Sequence, residues 1–515
     1  MTHSTSKWSF PMSVLDLSSK PLLTTACATS LVLLAVLSFT KSEASKPAPP
    51  AVIASETIQT PIAASVPVVD LPPWSALVIG PARGKLEPCG CSGGQLGGID
   101  RLSSMLGFAA PPDGHQAVRI AAGGVVAEDA RAHRSWAKAQ LETLWQSFGM
   151  MSMDMIGLAE SDLVLMDEMA GVKVLLGDVP VVATNLLIEG TKLSAPNSAG
   201  ETPFFQRSYQ PPGGPQYFSF VPKAAKAQST LGSGEDAKTI QWGAVDAVQA
   251  LKTLQVTGIF DPSTPSVVLF EGTDADRDAL GAFLGESGTL LRVNDEYEAS
   301  HALELADGQS GSAELGTRLR YVVRLDSRDT GLTYHLNTVT EDVPGDEVLA
   351  SMRGLYRMML EVYGARDSFA DSKGQAPLGG FVGSDACASC HQDAFEIWQE
   401  SLHYVAMEAL ADDLRDGSPA TNDPNCVYCH SVGFGYTSGY GSSSLTDELR
   451  WASLDGLAGV GCESCHGPGG QHARTGAAEH IERSGEHTCL ECHDSENDPT
   501  FHFGRKWPDI EHNNQ

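Results

Sequence analysis

The chain has 515 residues, 42% of them hydrophobic, with 34 Lys and Arg against 64 Asp and Glu, for a formal net charge of −30. That apolar fraction supports a sizeable core and excludes wholesale disorder, and the length leaves room for two or three domains. So negative a chain argues against nucleic acid and anionic lipid as partners, and for a basic partner.

Residues 1–44 predict a signal peptide or an N-terminal membrane anchor. A polar start with a slight positive excess leads into a nearly uncharged apolar run over 22–39, and small residues follow at 42–44. The run, about 18 residues long, lies at the lower limit for spanning a bilayer, so cleavage and anchorage both stay open. Either outcome puts the folded part outside the cytoplasmic membrane, in the periplasm or secreted. Residues 45–75, rich in Pro and Ala, read as a semi-rigid linker.

Residues 76–365 alternate strand-like and helix-like stretches. Strands are expected at 76–80, 117–121, 172–176, 179–183, 266–270 and 320–325, and helices at 128–147, 274–284 and 346–363. Such alternation predicts an α/β layered domain.

After the first strand the chain enters a loop dense in glycine that contains Cys89 and Cys91. The stretch 78–101 resembles the opening of the 5′-nucleotidase-type metallophosphatases. Residues 120–124, 156–162 and 183–186 follow at that family's spacing, and the resemblance implies a layered α/β sandwich over roughly 76–360. The ligand residues depart from the family. Pro81 and Arg83 stand where an Asp and a His belong, Gly124 where an Asp belongs, and Leu158 and Ala159 where an Asn-His pair belongs. Asn185 alone matches, and one asparagine cannot assemble a two-metal site. The fold is therefore expected without the dinuclear phosphatase chemistry. Cys89 and Cys91 are a candidate redox pair in its place, with Arg83, Lys85 or Arg101 available to lower a thiol pKa. An inert disulfide or thiol pair is the competing reading.

A second linker is expected over 366–380, and residues 381–515 form the last domain. There the unit Cys-x-x-Cys-His occurs four times, as Cys387, Cys390 and His391; Cys426, Cys429 and His430; Cys462, Cys465 and His466; and Cys489, Cys492 and His493. This is the attachment pattern of c-type haem: two thioethers pin a short loop to the porphyrin edge, and the next residue places its imidazole under the iron. Zinc or disulfides compete, but neither requires a histidine after every second cysteine, and the gap from Cys390 to Cys426 is long for a zinc ribbon. Four c-type haems are expected, with His391, His430, His466 and His493 proximal. Residues 381–515 hold ten histidines but only one methionine, Met407, so bis-histidine ligation should dominate.

This last region resembles the tetrahaem cytochrome c-554 family. The likeness is carried by 381–391, by Trp398 with Ser401 and His403, by 426–436, by 460–472, and by the fourth motif with His512. The resemblance implies a mainly α, loop-rich multihaem domain that passes electrons between redox proteins. It implies His472 as distal ligand of the first haem and His403 of the third, with His512 the best candidate for the fourth. The second haem, on His430, has no distal ligand in the family pattern, so a small molecule such as nitric oxide could bind there. Two other functions are weighed beside electron transfer: an oxidoreductase acting on a nitrogen compound at that haem, and a phosphoesterase with a tethered electron-transfer module. Residues 381–515 carry 22 Asp and Glu against 6 Lys and Arg, which suits docking on a basic redox partner.

Overall fold

Side-chain alternation builds the first half of the molecule. In the strand Trp74–Ile79 every residue is buried. Ala76 and Val78 enter one apolar cluster and Leu77 and Ile79 another, as a strand covered on both faces requires. The computed structural model describes residues 71–512 apart from 89–93, 128–131, 190–204, 232–237, 297, 305–309, 329–330, 413–417, 444–455, 495–496 and 499. The expected leader at 1–44, nearly all of the expected linker at 45–75, and Cys89 and Cys91 lie outside the described residues.

Trp74–Ile79 is central to a seven-stranded sheet. It pairs in parallel with Gln116–Ala121 and antiparallel with Tyr321–Arg328. Met155–Gly157, Val181–Val182 and Phe205–Gln206 continue the parallel side, and Gly331–Thr338 closes the other edge as a hairpin partner of Tyr321–Arg328. A four-stranded parallel sheet, in the order Gly311–Glu314, Gly288–Arg292, Ser266–Phe270, Gln216–Phe220, packs against it. One cluster, with Ala76, Val78, Ile120, Val267, Leu269 and Leu291, fills the space between the sheets. The outer face of the large sheet is covered by the helices Ile99–Phe108, Arg134–Met150 and Glu347–Val362, and that of the small sheet by Ala247–Val256 and Asp274–Leu284. The result is a helix–sheet–sheet–helix sandwich, the α/β layering that the alternation predicts.

Local chemistry sets the helices. Asp274–Leu284 starts at a capping box, in which Thr273 and Asp276 exchange side chain–backbone bonds. In Glu347–Val362 the Asp346 carboxylate accepts the N–H groups of Val348 and Leu349, and Leu349, Met352, Tyr356, Met359 and Leu360 recur at helical intervals on the buried face. One expected strand is overturned: Met166–Val172 is helical and Lys173–Leu176 forms a 3-10 turn. Without alternation, a short apolar run carries no period that separates strand from helix.

The second half is made of short helices and turns around one small apolar cluster, with Met407, Leu410, Val427, Val432, Phe434 and Tyr440 among its members. The stretch 366–380, read from sequence as a spacer, packs against both halves. Phe369 stacks on His133 with ring centroids 3.4 Å apart and meets Phe434 at 5.7 Å, and Gly374–Gln375 pairs with Tyr436–Thr437. Arg357 ties the halves together, gripping the Glu87 carboxylate with bonds of 2.7 and 2.9 Å and donating to the Ser418 carbonyl at 3.0 Å. No helix among the described residues is long and apolar enough to cross a membrane.

Candidate functional site

Each Cys-x-x-Cys-His unit folds as about one helical turn, which brings positions i, i+3 and i+4 to one side. The His391 N–H donates to the Cys387 carbonyl at 2.9 Å, His430 to Cys426 at 3.2 Å, and His493 to Cys489 at 2.8 Å. The Cys387 thiol lies beside that of Cys462, and the Cys429 thiol beside that of Cys492. The first motif therefore lies against the third and the second against the fourth.

Three of the motif histidines face a histidine from outside the motifs. His391 and His472 have ring centroids 6.1 Å apart, His403 and His493 6.2 Å, and His466 and His512 5.8 Å. Imidazole nitrogens on opposite sides of a metal ion, each at about 2 Å, put the ring centroids roughly 6 Å apart. Each pair thus leaves room for one ion. The arrangement corrects two sequence expectations, because His403 stands opposite the fourth-motif histidine and His512 opposite the third. The reason is local. The His403 carbonyl accepts the Val460 N–H at 3.0 Å and the Trp398 indole donates to the Val460 carbonyl at 2.7 Å. That places the His403 backbone beside the third motif while its ring turns to His493. His430 is in none of the three pairs.

The far nitrogen of most of these rings is already engaged. Nδ1 lies 2.6 Å from the Ala406 carbonyl in His430, 2.9 Å from that of Glu482 in His466, 3.1 Å from that of Ala477 in His472, and 3.0 Å from that of Ile510 in His512. A carbonyl oxygen only accepts, so Nδ1 carries the proton and Nε2 keeps its lone pair for a metal. His493 donates instead to the Asp498 carboxylate at 2.9 Å, which fixes the orientation of its ring. Burial, reinforced by neighbouring His493, holds His403 below the ordinary imidazole range, which favours the neutral form that binds metal.

Two carboxylates that the sequence did not single out shape this half. Glu463, inside the third motif and 4% exposed, accepts the N–H groups of Val382, Gly383 and Gly469 at 3.0, 2.8 and 2.7 Å. Asp498 is the second. Their only sequence signal is an acidic residue beside an attachment motif. Apolar side chains around the motifs stand exposed, with Leu402 at 87%, Tyr428 at 48% and Leu490 at 46%. Tyr428 and Leu490 lie between the two cysteines of their motifs. Paired cysteines, opposed imidazoles with fixed Nδ1, and uncovered apolar surface together fit a covalently attached porphyrin.

In the first half, the carboxyl ends of strands from both sheets converge, where an α/β sandwich places its chemistry. The centre there is a cation. Arg83, 7% exposed, donates to the Ser161 hydroxyl at 3.0 Å and the Asn294 carbonyl at 3.3 Å, with Asp295 at 2.8 Å and Glu271 at 3.9 Å. Asp162 is fully buried and accepts four backbone N–H groups, from Gly124, Val125, Val126 and Ala159. Gly124 has φ 80, and a Cβ there would lie 2.7 Å from that of Pro81; an aspartate in its place would be strained. Asn185 is committed to the backbone, donating to the Val221 and Val245 carbonyls at 2.8 Å each and accepting the Val221 N–H at 3.1 Å.

Glu271 accepts the Glu160 N–H at 2.6 Å, and burial pushes its carboxyl up to about 7 against the pull of that N–H and of Arg83. Its folded-state pKa lies above the ordinary 4.5. The fold therefore binds the proton more tightly, and this contribution to stability is complete below pH 4.5 and lost as pH rises to 7. The loss is about 3 kcal/mol. Glu271→Gln is expected to flatten thermal stability over that window; an unchanged slope would assign it to other groups.

The family described as cytochrome c554 and c-prime matches residues 386–467. Those residues are therefore similar to that family. Cytochrome c-554 of Nitrosomonas europaea is 38% identical over 122 residues, 21% of this chain and 48% of that protein. The C-type polyheme cytochrome OmcB of Geobacter sulfurreducens is 31% identical over 102 residues, 18% of this chain and 13% of that one. The chain thus spans about half the length of the first of these relatives and a small part of the second. Among solved structures, the sulfate thiohydrolase SoxB of Thermus thermophilus aligns with TM-score 0.40 at 12% identity, over 56% of this chain and 61% of that one. A 5′-nucleotidase precursor of the same species aligns with TM-score 0.40 at 12% identity, over 67% of each chain. The matched cytochrome segment holds the first three attachment motifs and His403, up to Gly467; His472, the fourth motif and His512 lie beyond it.

Proposed function

We propose that this chain is an exported electron carrier holding four c-type haems between residues 387 and 512. Cys387 and Cys390, Cys426 and Cys429, Cys462 and Cys465, and Cys489 and Cys492 are the thioether pairs. His391, His430, His466 and His493 are the proximal ligands, and His472, His512 and His403 the distal ligands opposite the first, third and fourth. The bound haem iron supplies one-electron chemistry by cycling between ferric and ferrous states. The observation that carries the reading is the set of three opposed histidine pairs, each joining one motif histidine to one from elsewhere at the spacing an iron needs.

The chain's own groups do the rest. Carbonyls of Glu482, Ala477 and Ile510 orient the imidazoles, and the contacts of Cys387 with Cys462 and of Cys429 with Cys492 keep neighbouring haem edges close enough for electrons to pass. Export is supported by the apolar run at 22–39. A basic redox protein is the partner favoured by the acidic carboxyl-terminal region, and its association should weaken with ionic strength. Arg83 occupies the mouth where a metallophosphatase holds its metals, which supports loss of that chemistry. Cys89 and Cys91 remain a candidate thiol redox pair feeding the haems.

The test is mass spectrometry with electron paramagnetic resonance during redox titration of the purified protein. Four added haem masses and three low-spin ferric signals are expected; a chain with no haem mass ends the reading. His430, outside the three pairs, favours a second reading in which its haem binds a small nitrogen compound. Nitric oxide added to the reduced protein should then change the spectrum of one haem in four.

A further inference from the structure

A buried carboxylate lies beneath the second motif. Asp423 caps the helix Pro424–Cys429, which carries Cys426 and Cys429, by accepting the Asn425 N–H at 2.9 Å, and it is 6% exposed. The α/β half closes over this corner. Lys85 and Glu87 face Asp423 from the loop after the first strand, and Tyr356 faces it from the helix Glu347–Val362. Arg357, the next residue of that helix and 1% exposed, faces Cys426 and holds Glu87 by its two short bonds. Charges set in protein away from water are weakly screened, so an ionised Asp423, which already acts on the Cys426 thiol, would also act on the charge of a haem attached there. Burial pushes the Asp423 carboxyl up to about 6, Glu87 adds to the push, and the Asn425 N–H and Lys85 pull against it.

We propose that Asp423 takes up a proton when the haem on Cys426, Cys429 and His430 is reduced, with Lys85 and the Arg357-held Glu87 of the α/β half setting the pH at which it does so. The inference rests on the haem assignment above. One electron arrives from a reduced redox protein and turns ferric iron ferrous. One proton passes from water to the carboxylate, and the charge of the site is unchanged. An ionised Asp423 stabilises the ferric state, so reduction becomes harder as pH rises through its titration.

The experiment is spectroscopic redox titration of the full, haem-loaded chain from about pH 5 to about pH 7.5. One component in four should lose up to tenfold in its reduction equilibrium per pH unit, equal to about 59 mV for a one-electron couple. Asparagine caps a helix as well as aspartate, so Asp423→Asn should keep its haems, abolish the slope and leave that component at its acid-limit potential. Glu87→Gln, which removes a neighbouring negative charge, should keep the slope but move its window to lower pH, and it decides the matter if the first variant does not accumulate. Midpoints independent of pH in a protein with its haems, a slope that survives Asp423→Asn, or a window unmoved in Glu87→Gln overturns the proposal alone. Absence of haem would instead overturn the electron-carrier reading.

Discussion

Replacing both Cys462 and Cys465 by alanine is expected to remove one haem mass and to unfold residues 381–512 while the α/β sandwich stays folded. The third motif is the centre of its half. Glu463 within it holds the backbone of Val382, Gly383 and Gly469, and Cys462 touches Cys387 of the first motif. The apolar cluster of this half is small and Leu402, Tyr428 and Leu490 are exposed, so the chain without porphyrin buries little surface to offset its conformational entropy. The sandwich has three apolar clusters of its own. Hydrogen exchange resolved along the chain should show protection lost after residue 381 and kept before 365. A three-haem variant with full protection throughout would contradict this dependence.

The second large effect is expected at Arg83. Arg83→Ala should destabilise the sandwich by about 3–5 kcal/mol, because truncating one member of a buried charge cluster leaves its partners uncompensated. Here Glu271 would lose its nearest cation, Asp295 its ion-pair partner and the Ser161 hydroxyl its donor. Arg83→Lys should recover only part of the loss, since one ammonium cannot reach Ser161, Asn294 and Asp295 together as the guanidinium does. Urea unfolding of the three proteins measures this. A change under 1 kcal/mol in Arg83→Ala would mean that the cluster relaxes and water replaces the side chain.

Much of the architecture is legible locally. The helix Asp274–Leu284 announces itself by Thr273 and Asp276 at the spacing of a capping box, and the strand Ser266–Phe270 by a compact apolar run ending at a charged residue. The apolar residues of the 172–176 segment carry no period that separates strand from helix, and the segment is helical. That Pro81, Arg83 and Gly124 are not metal-binding residues could be read from residue identity. That Arg83 then fills the mouth, and that Asn185 is spent on backbone carbonyls, could not.

The sequence by itself determined the attachment chemistry. Cys-x-x-Cys-His lies within one turn of chain, so its cysteines and histidine share a face wherever the turn is placed. It also determined that histidine outnumbers methionine ten to one in 381–515, so that histidines are the expected partners of the motif histidines. Tertiary structure alone decided which histidine faces which motif. A histidine from outside the motifs reaches its partner through long-range packing, and the backbone of His403 is bonded beside the third motif while its ring meets His493 of the fourth. It also decided that Glu87, Arg357 and Asp423, far apart along the chain, meet at one buried corner, since no local periodicity encodes a contact between residues hundreds of positions apart.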